Sequence, residues 1–376
     1  MRKVVLFVCL CSVGAVSMMG QVASGSYTRK IVAMSGNTIS GKTLINVGQP
    51  TLSNKGQVAF IAFSPGLVGV FTPERLVAQT GDVIAGATLT GIAGPPAIGD
   101  KGRIIFNAAT NRGTGIYSST AAIVETGDRI DGKLLTNIGP AQMSGTGDLA
   151  FLSEFGGRRG IFSKNALIAQ QGDSVDGKTL VDVGFAPAVN DRGTIVVLGF
   201  YSDGNGIFAR RRGFLVKTGD TVGGKTLTRV GFASINNDGD VAFIGFFQSG
   251  SGVFTRSSLL AQSGTIAGKR VGSFGTVKLN DYGVVAFTSL PDYTSAECRL
   301  CNGVFVSNSV IAYTGDVIDG KTVSSIAHDI AINDASQVVF AAAFTDGTTG
   351  IILATPTTPL TMMRLPRAVQ DTHWDE

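Results

Sequence analysis

Asn236-Asn237-Asp238-Gly239-Asp240-Val241-Ala242-Phe243 is the stretch on which the fold turns. Asn, Asp and Gly in four consecutive positions supply a tight turn, and the apolar run behind them has strand chemistry. The pattern returns as Asn280-Asp281-Tyr282-Gly283-Val284-Val285-Ala286-Phe287 and as Ser53-Asn54-Lys55-Gly56-Gln57-Val58-Ala59-Phe60. Weaker copies open at Gly99, Ser144, Asn190 and Asn333. Their fourth positions fall at 56, 102, 147, 193, 239, 283 and 336, spaced 46, 45, 46, 46, 44 and 53 apart. A period this constant is the signature of a repeat architecture. The long last spacing reflects an insert from Pro291 to Asn302.

Outward from the turn, every unit reads alike. An apolar run such as Val241–Phe246 leads through a Gly-rich loop to Gly-Ile-Phe or Gly-Val-Phe, as at Gly206-Ile207-Phe208. A polar turn, a strand such as Leu76-Val77-Ala78-Gln79 and a Thr80-Gly81-Asp82 connection complete the unit. The segments are short, β-branched or aromatic, and bounded by Gly, Asn and Asp. No window carries an i, i+3, i+4 apolar stripe of helical length. Each unit is therefore expected to be a four-stranded antiparallel meander, and such units stack radially as propeller blades. The chain enters in mid-repeat, with Lys30–Gly36 matching the fourth strand at Leu76–Gly81, and leaves after the third-strand segment Gly350–Ala354. The first strand should thus complete the seventh blade, which removes a free sheet edge. The reading is all-β: a seven-bladed β-propeller over 29–355, its N-terminal strand closing the last blade.

With Asn236–Phe243 and Asn280–Phe287 in hand, the chain resembles the bacterial secreted proteins with tandem Asn-x-x-Gly-x-x-Ala-Phe repeats, the choice-of-anchor type, across about residues 30–354. The turn before a Val-Ala-Phe strand is also similar to TolB-type propeller blades. The resemblance implies export and repeats and brings no catalytic residues with it. The C-terminal tail shows no sorting anchor.

The N-terminus, Met1-Arg2-Lys3 followed by an apolar run from Val4 to about Val16 and small residues to Ser26, reads as a secretory signal peptide over 1–24. The run is shorter than the ~20 residues of a membrane span. Residues 356–376 read as a flexible tail, and the protein as secreted or periplasmic. Removing Arg2 and Lys3 lowers the net charge from +4 to about +2. A nucleic-acid partner needs a basic stripe, and the one sizeable cluster, Arg210-Arg211-Arg212, reads as a solvated hairpin tip. Cys298 and Cys301 form a C-x-x-C in the insert. In an exported chain a small disulfide ring stapling a loop is favoured over free thiols or a redox or metal pair. Structural zinc needs four ligands, and only His328 and His373 supply imidazole. No metal and no cofactor are expected.

The pattern G-x-x-x-x-G-K-[ST] occurs at Gly36–Thr43, Gly172–Thr179, Gly219–Thr226 and Gly315–Thr322. A phosphate loop must open a helix, and a motif recurring at the repeat period is better read as the blade-to-blade connection. Its Asp and Lys residues are expected to ring one face of the disc, the Asp capping a turn and the Lys pairing nearby.

Function is expected where symmetry breaks, in the loops between second and third strands. Phe155, Arg158, Tyr201, Asp203, Phe247, Tyr293 and Arg299 are the candidate ligand-binding residues there. Inter-blade packing is the competing role for the aromatic ones. The favoured reading is a non-catalytic, monomeric binder of a glycan, peptide or protein. The alternatives are a carbohydrate-active hydrolase or lyase using Glu154, Asp292 or Glu297, for which paired carboxylates would be required, and a structural envelope or matrix component.

Overall fold

The computed structural model describes residues 26–293 and 300–358. Their ordered elements are all strands and form a seven-bladed propeller of four-stranded antiparallel blades. The first strands of the blades lie innermost: Asn46–Leu52, Ala87–Ile98, Asn137–Met143, Asp182–Val183 with Ala188–Val189, Lys225–Ile235, Ser273–Leu279 and Lys321–Ile332. Blade 7 is finished by Tyr27–Met34, which pairs antiparallel with Thr349–Pro356; Ile31 stands opposite Ile352 and Met34 opposite Gly350. The closure is pinned from the side as well. Arg29 Nη1 reaches the Asp316 carboxylate at 2.7 Å, and the Ile31 amide donates to Asp319 Oδ2 at 2.8 Å.

The core is distributed. Seven apolar clusters each join two neighbouring blades, so every interface is filled by the alternate residues of both sheets. The cluster holding Phe60 and Phe71 of blade 1 with Val339, Ala341 and Ile351 of blade 7 seals the ring. The recurrent Gly of Gly-Ile-Phe has a steric cause. A Cβ at Gly206 would come within 2.7 Å of both Phe214 Cδ1 and the Val216 carbonyl oxygen.

The G-x-x-x-x-G-K-[ST] segments are hairpins. At Ser40-Gly41, Ala85-Gly86, Asp131-Gly132, Asp176-Gly177, Gly223-Gly224, Ala267-Gly268 and Asp319-Gly320 both residues have φ between +46° and +79°, as a type I′ turn requires. The Asp residues cap as expected: Asp82, Asp128, Asp173 and Asp220 each accept the amide three residues earlier at 2.9 Å. The turn-tip residues reach further, with Asp131 and Asp176 accepting the amides of Leu167 and Phe214 at 2.7 and 2.8 Å. The lysines divide their work between carboxylates and aromatic rings. These hairpins and the second-to-third loops share one face of the disc, the hairpin face. The Asn-Asp-x-Gly turns lie on the other, the turn face.

Candidate ligand site in the axial channel

Each first strand carries a register shift at the same place, between Gly48 and Thr51 in blade 1 and between Ile326 and Ile330 in blade 7. Such bulges bend the strand and re-aim its side chains. Beyond the bulges, the seven strands line an axial cavity of about 400 Å3. Two rings of side chains succeed one another along it.

The lower ring, at the turn face, consists of the second residues of the repeat turns: Asn54, Asp100, Gly145, Asp191, Asn237, Asp281 and Asp334. Backbone amides donate around it from blade to blade. Asn54 donates to Asp100 Oδ1 at 3.1 Å, Asp191 to Asn237 Oδ1 at 2.7 Å and Asn237 to Asp281 Oδ1 at 2.8 Å. Asp281 donates to Asp334 Oδ1 and Asp334 to Asn54 Oδ1, each at 3.0 Å, closing the circle. Blade 3 joins through backbone: Asp100 N donates to Gly145 O at 2.9 Å and Thr146 N to Asp191 Oδ1 at 3.0 Å. A Cβ on Gly145 would stand 2.7 Å from Asp100 Oδ2, which explains the missing side chain. Just outside, Asn190, Asn236, Asn280 and Asn333 send Nδ2 to the next blade's carbonyl at 2.8–3.5 Å. Burial holds the Asp281 and Asp334 carboxyls above the ordinary carboxylate range, and neighbouring carboxylates add to the effect.

Three residues earlier on the same strands comes the upper ring: Thr51, Ala97, Gln142, Ala188, Ser234, Lys278 and Ala331, all lining the cavity. Each stands opposite the same position of its blade's second strand, Ala59 for Thr51 and Ala286 for Lys278. Six of the seven are small or uncharged, and Lys278 alone carries charge. Lys278 is half-buried and lines the cavity. Burial pushes its ammonium below the ordinary range, while the Asp329 carboxylate of blade 7 pulls the other way. Asp329 lines the same cavity. The two groups stand more than 4.0 Å apart, and neither forms a hydrogen bond or ion pair among the described residues. Phe232 faces the cavity with 49% of its surface exposed, amid Pro50, Pro95, Pro96, Pro140 and Pro187.

The loop residues expected to bind ligand are placed differently. Phe155, Tyr201 and Phe247 are only 5%, 6% and 8% exposed. Each sits edge-on to a ring of its own blade: Phe155 on Phe162, Tyr201 on Phe214 and Phe247 on Phe254. Lys133, Lys178 and Lys225 cover them from outside at 5.8, 5.3 and 5.0 Å from the ring centres. Phe155 and Phe247 also belong to the clusters between blades 2 and 3 and between blades 4 and 5, the inter-blade packing set against ligand contact in the sequence reading. Asp203 is exposed and takes a 2.7 Å bond from Lys178, which holds its carboxyl below the ordinary range. Arg158 and Glu154 are exposed on blade 3; Tyr293 is exposed and Asp292 half-buried behind blade 6. Glu154 and Asp292 thus lie on blades separated by two others one way round and three the other, and the fold does not bring them together. Glu297, Cys298 and Arg299 lie outside the described residues. Cys301 is 8% exposed and disulfide-bonded. No group of three or more His, Cys, Asp or Glu among the described residues is arranged to hold a metal ion.

The model of a family of unknown function, DUF7453, matches residues 72–316, from the end of blade 1 through blade 6. The chain belongs to that family. Among curated proteins none matches this family member in sequence. Its fold is similar to that of an oligogalacturonate lyase from Vibrio parahaemolyticus, with a TM-score of 0.52, 11% identity, and 89% of this chain and 98% of that one covered. A virginiamycin B lyase from Staphylococcus aureus matches at TM-score 0.43 and 12% identity over 88% and 99% of the two chains. A gluconolactonase from Xanthomonas campestris matches at 0.38 and 10% over 90% and 93%. The first of these supports the propeller fold, and at such identities none transfers an activity.

Proposed function

We propose that the protein is an exported, non-catalytic binding propeller whose ligand seats in the axial channel. One observation carries this reading: the repeat breaks its own symmetry inside the cavity, where Lys278 and Gln142 replace small equivalents and Asp329 adds a carboxylate. Ligand pockets are typically concave, mostly apolar and supplied with a few placed polar groups. The channel meets that description, whereas Phe155, Tyr201 and Phe247 of the outer loops are occupied by packing. The disulfide at Cys301 supports export, since such bonds persist in oxidising compartments, as does the basic and apolar N-terminal sequence.

The test is a binding screen of the full chain on glycan, peptide and small-metabolite panels, repeated with Gln142→Trp. Gln142 lines the cavity and is half-buried, so an indole there obstructs the channel. Loss of binding in Gln142→Trp, with binding retained in Arg158→Ala and Asp203→Ala, is the expected result. The reverse pattern would return the ligand to the loop face.

A further inference from the structure

Lys278 and Asp329 present opposite charges to one cavity from adjacent blades without touching. Desolvating a charge is costly unless it is paired. Two flexible side chains on neighbouring strands could close on each other, yet each faces the cavity unpaired among the described residues. A ligand bearing both complementary charges on neighbouring atoms would satisfy both at once, and a single ion would satisfy one. Phe232 and the proline collar offer the rest of that ligand an apolar wall.

Resting on the channel reading above, we infer that the ligand is a zwitterionic α-amino acid with an apolar side chain. Its carboxylate faces Lys278, its ammonium faces Asp329 and its side chain lies against Phe232.

Calorimetric titration of the full chain with L-phenylalanine, 3-phenylpropionate and 2-phenylethylamine tests this. Charge-assisted hydrogen bonds in a desolvated site correspond to roughly tenfold to a hundredfold in affinity. L-phenylalanine should therefore bind tighter than either half-molecule by roughly tenfold or more. Lys278→Met should erase the advantage over phenylethylamine, and Asp329→Asn the advantage over phenylpropionate. Lys278→Arg, which keeps the charge, should restore part of the first. Equal affinities for the three compounds, no binding of any, or preferences that survive both neutralising variants would overturn the inference. The two readings fail separately. If another compound of the panels binds and Gln142→Trp abolishes it, the channel stands and the amino-acid assignment falls. If L-phenylalanine binds equally well to Gln142→Trp, the channel reading falls.

Discussion

The two rings of the channel lie three residues apart on the same seven strands, and they have opposite characters. In the lower ring almost every side chain answers to a neighbouring blade: Asn237 alone accepts the Asp191 amide and contacts the carboxylates of Asp191 and Asp281. The upper ring carries a single link of that kind, the Leu279 amide donating to Ser234 Oγ at 3.1 Å, and it is there that residue type varies most from blade to blade. The repeat is thus kept where the disc closes on itself and relaxed where few links depend on it. Repetition marks the scaffold, and departure from it marks the place where a ligand can be recognised.

The largest effect should come from breaking the blade-to-blade links just outside the lower ring. Asn280 is 4% exposed, donates to the Asn333 carbonyl at 3.0 Å, and accepts the Tyr282 and Val284 amides at 3.1 and 2.9 Å. Leaving such groups unpaired costs about 1–3 kcal/mol each. Asn280→Ala should therefore lower unfolding free energy in urea by about 2–4 kcal/mol, with ligand affinity of the folded protein unchanged. Next in size is Gly145→Asp, which restores the symmetry that blade 3 lacks. Its Cβ would press on Asp100 Oδ2 and add a carboxylate between Asp100 and Asp191. A loss of about 1–3 kcal/mol is expected, and an unchanged melting temperature would show that the ring has slack.

The upper ring should answer in the other sense. Lys278→Met removes a poorly solvated ammonium while keeping its volume, so thermal stability should rise by about 1 kcal/mol even as ligand affinity falls. A marked loss of stability would mean that Lys278 serves the scaffold. The smallest effect belongs to Asp281→Asn. Asn already occupies the equivalent positions 54 and 237 and keeps the oxygen that accepts the Asn237 amide, but its NH2 cannot accept from Asn237 Nδ2 as Asp281 Oδ2 does. Because burial raises the Asp281 pKa, the folded chain binds that proton more readily than the unfolded one, and folding is penalised at any pH above the raised value. At neutral pH the Asn variant should lie within about 1 kcal/mol of the parent, because relief of the buried charge is offset by the lost bond from Asn237 Nδ2. Its stability relative to the parent should fall as pH falls through the raised pKa towards ordinary Asp values, in a series of melts across acidic pH.

The architecture was legible because it is written seven times. The turn tetrapeptide, the Val-Ala-Phe strand and the offset between Lys30–Gly36 and Gly350–Ala354 together imply blades, their number and the shared closure. What the turn does was not legible. Asn280 and Asp281 look like ordinary turn formers in sequence, and only the circular arrangement turns their side chains into links between blades. The burial of three loop aromatics was hidden for a related reason. Phe155, Tyr201 and Phe247 stand in variable segments, but all three end their second strands and plug the blade edge beneath a lysine that also recurs at the repeat period. Lys278 did leave a signal. Stacking the repeats and reading three residues back from Asn54, Asp100, Gly145, Asp191, Asn237, Asp281 and Asp334 gives one lysine among small or uncharged residues. Asp329 gives less warning, because the bulges differ in length between blades and blur the register there.

The most direct test of the division between a scaffold ring and a recognition ring is an electron-density map of the protein crystallised with L-phenylalanine. The account predicts density in the cavity between the Lys278 ammonium and the Asp329 carboxylate, its side chain beneath Phe232, with the lower circuit unaltered. An amino acid held instead by Arg158 and Asp203 on the loops of blades 3 and 4, with the channel filled only by solvent, would contradict it.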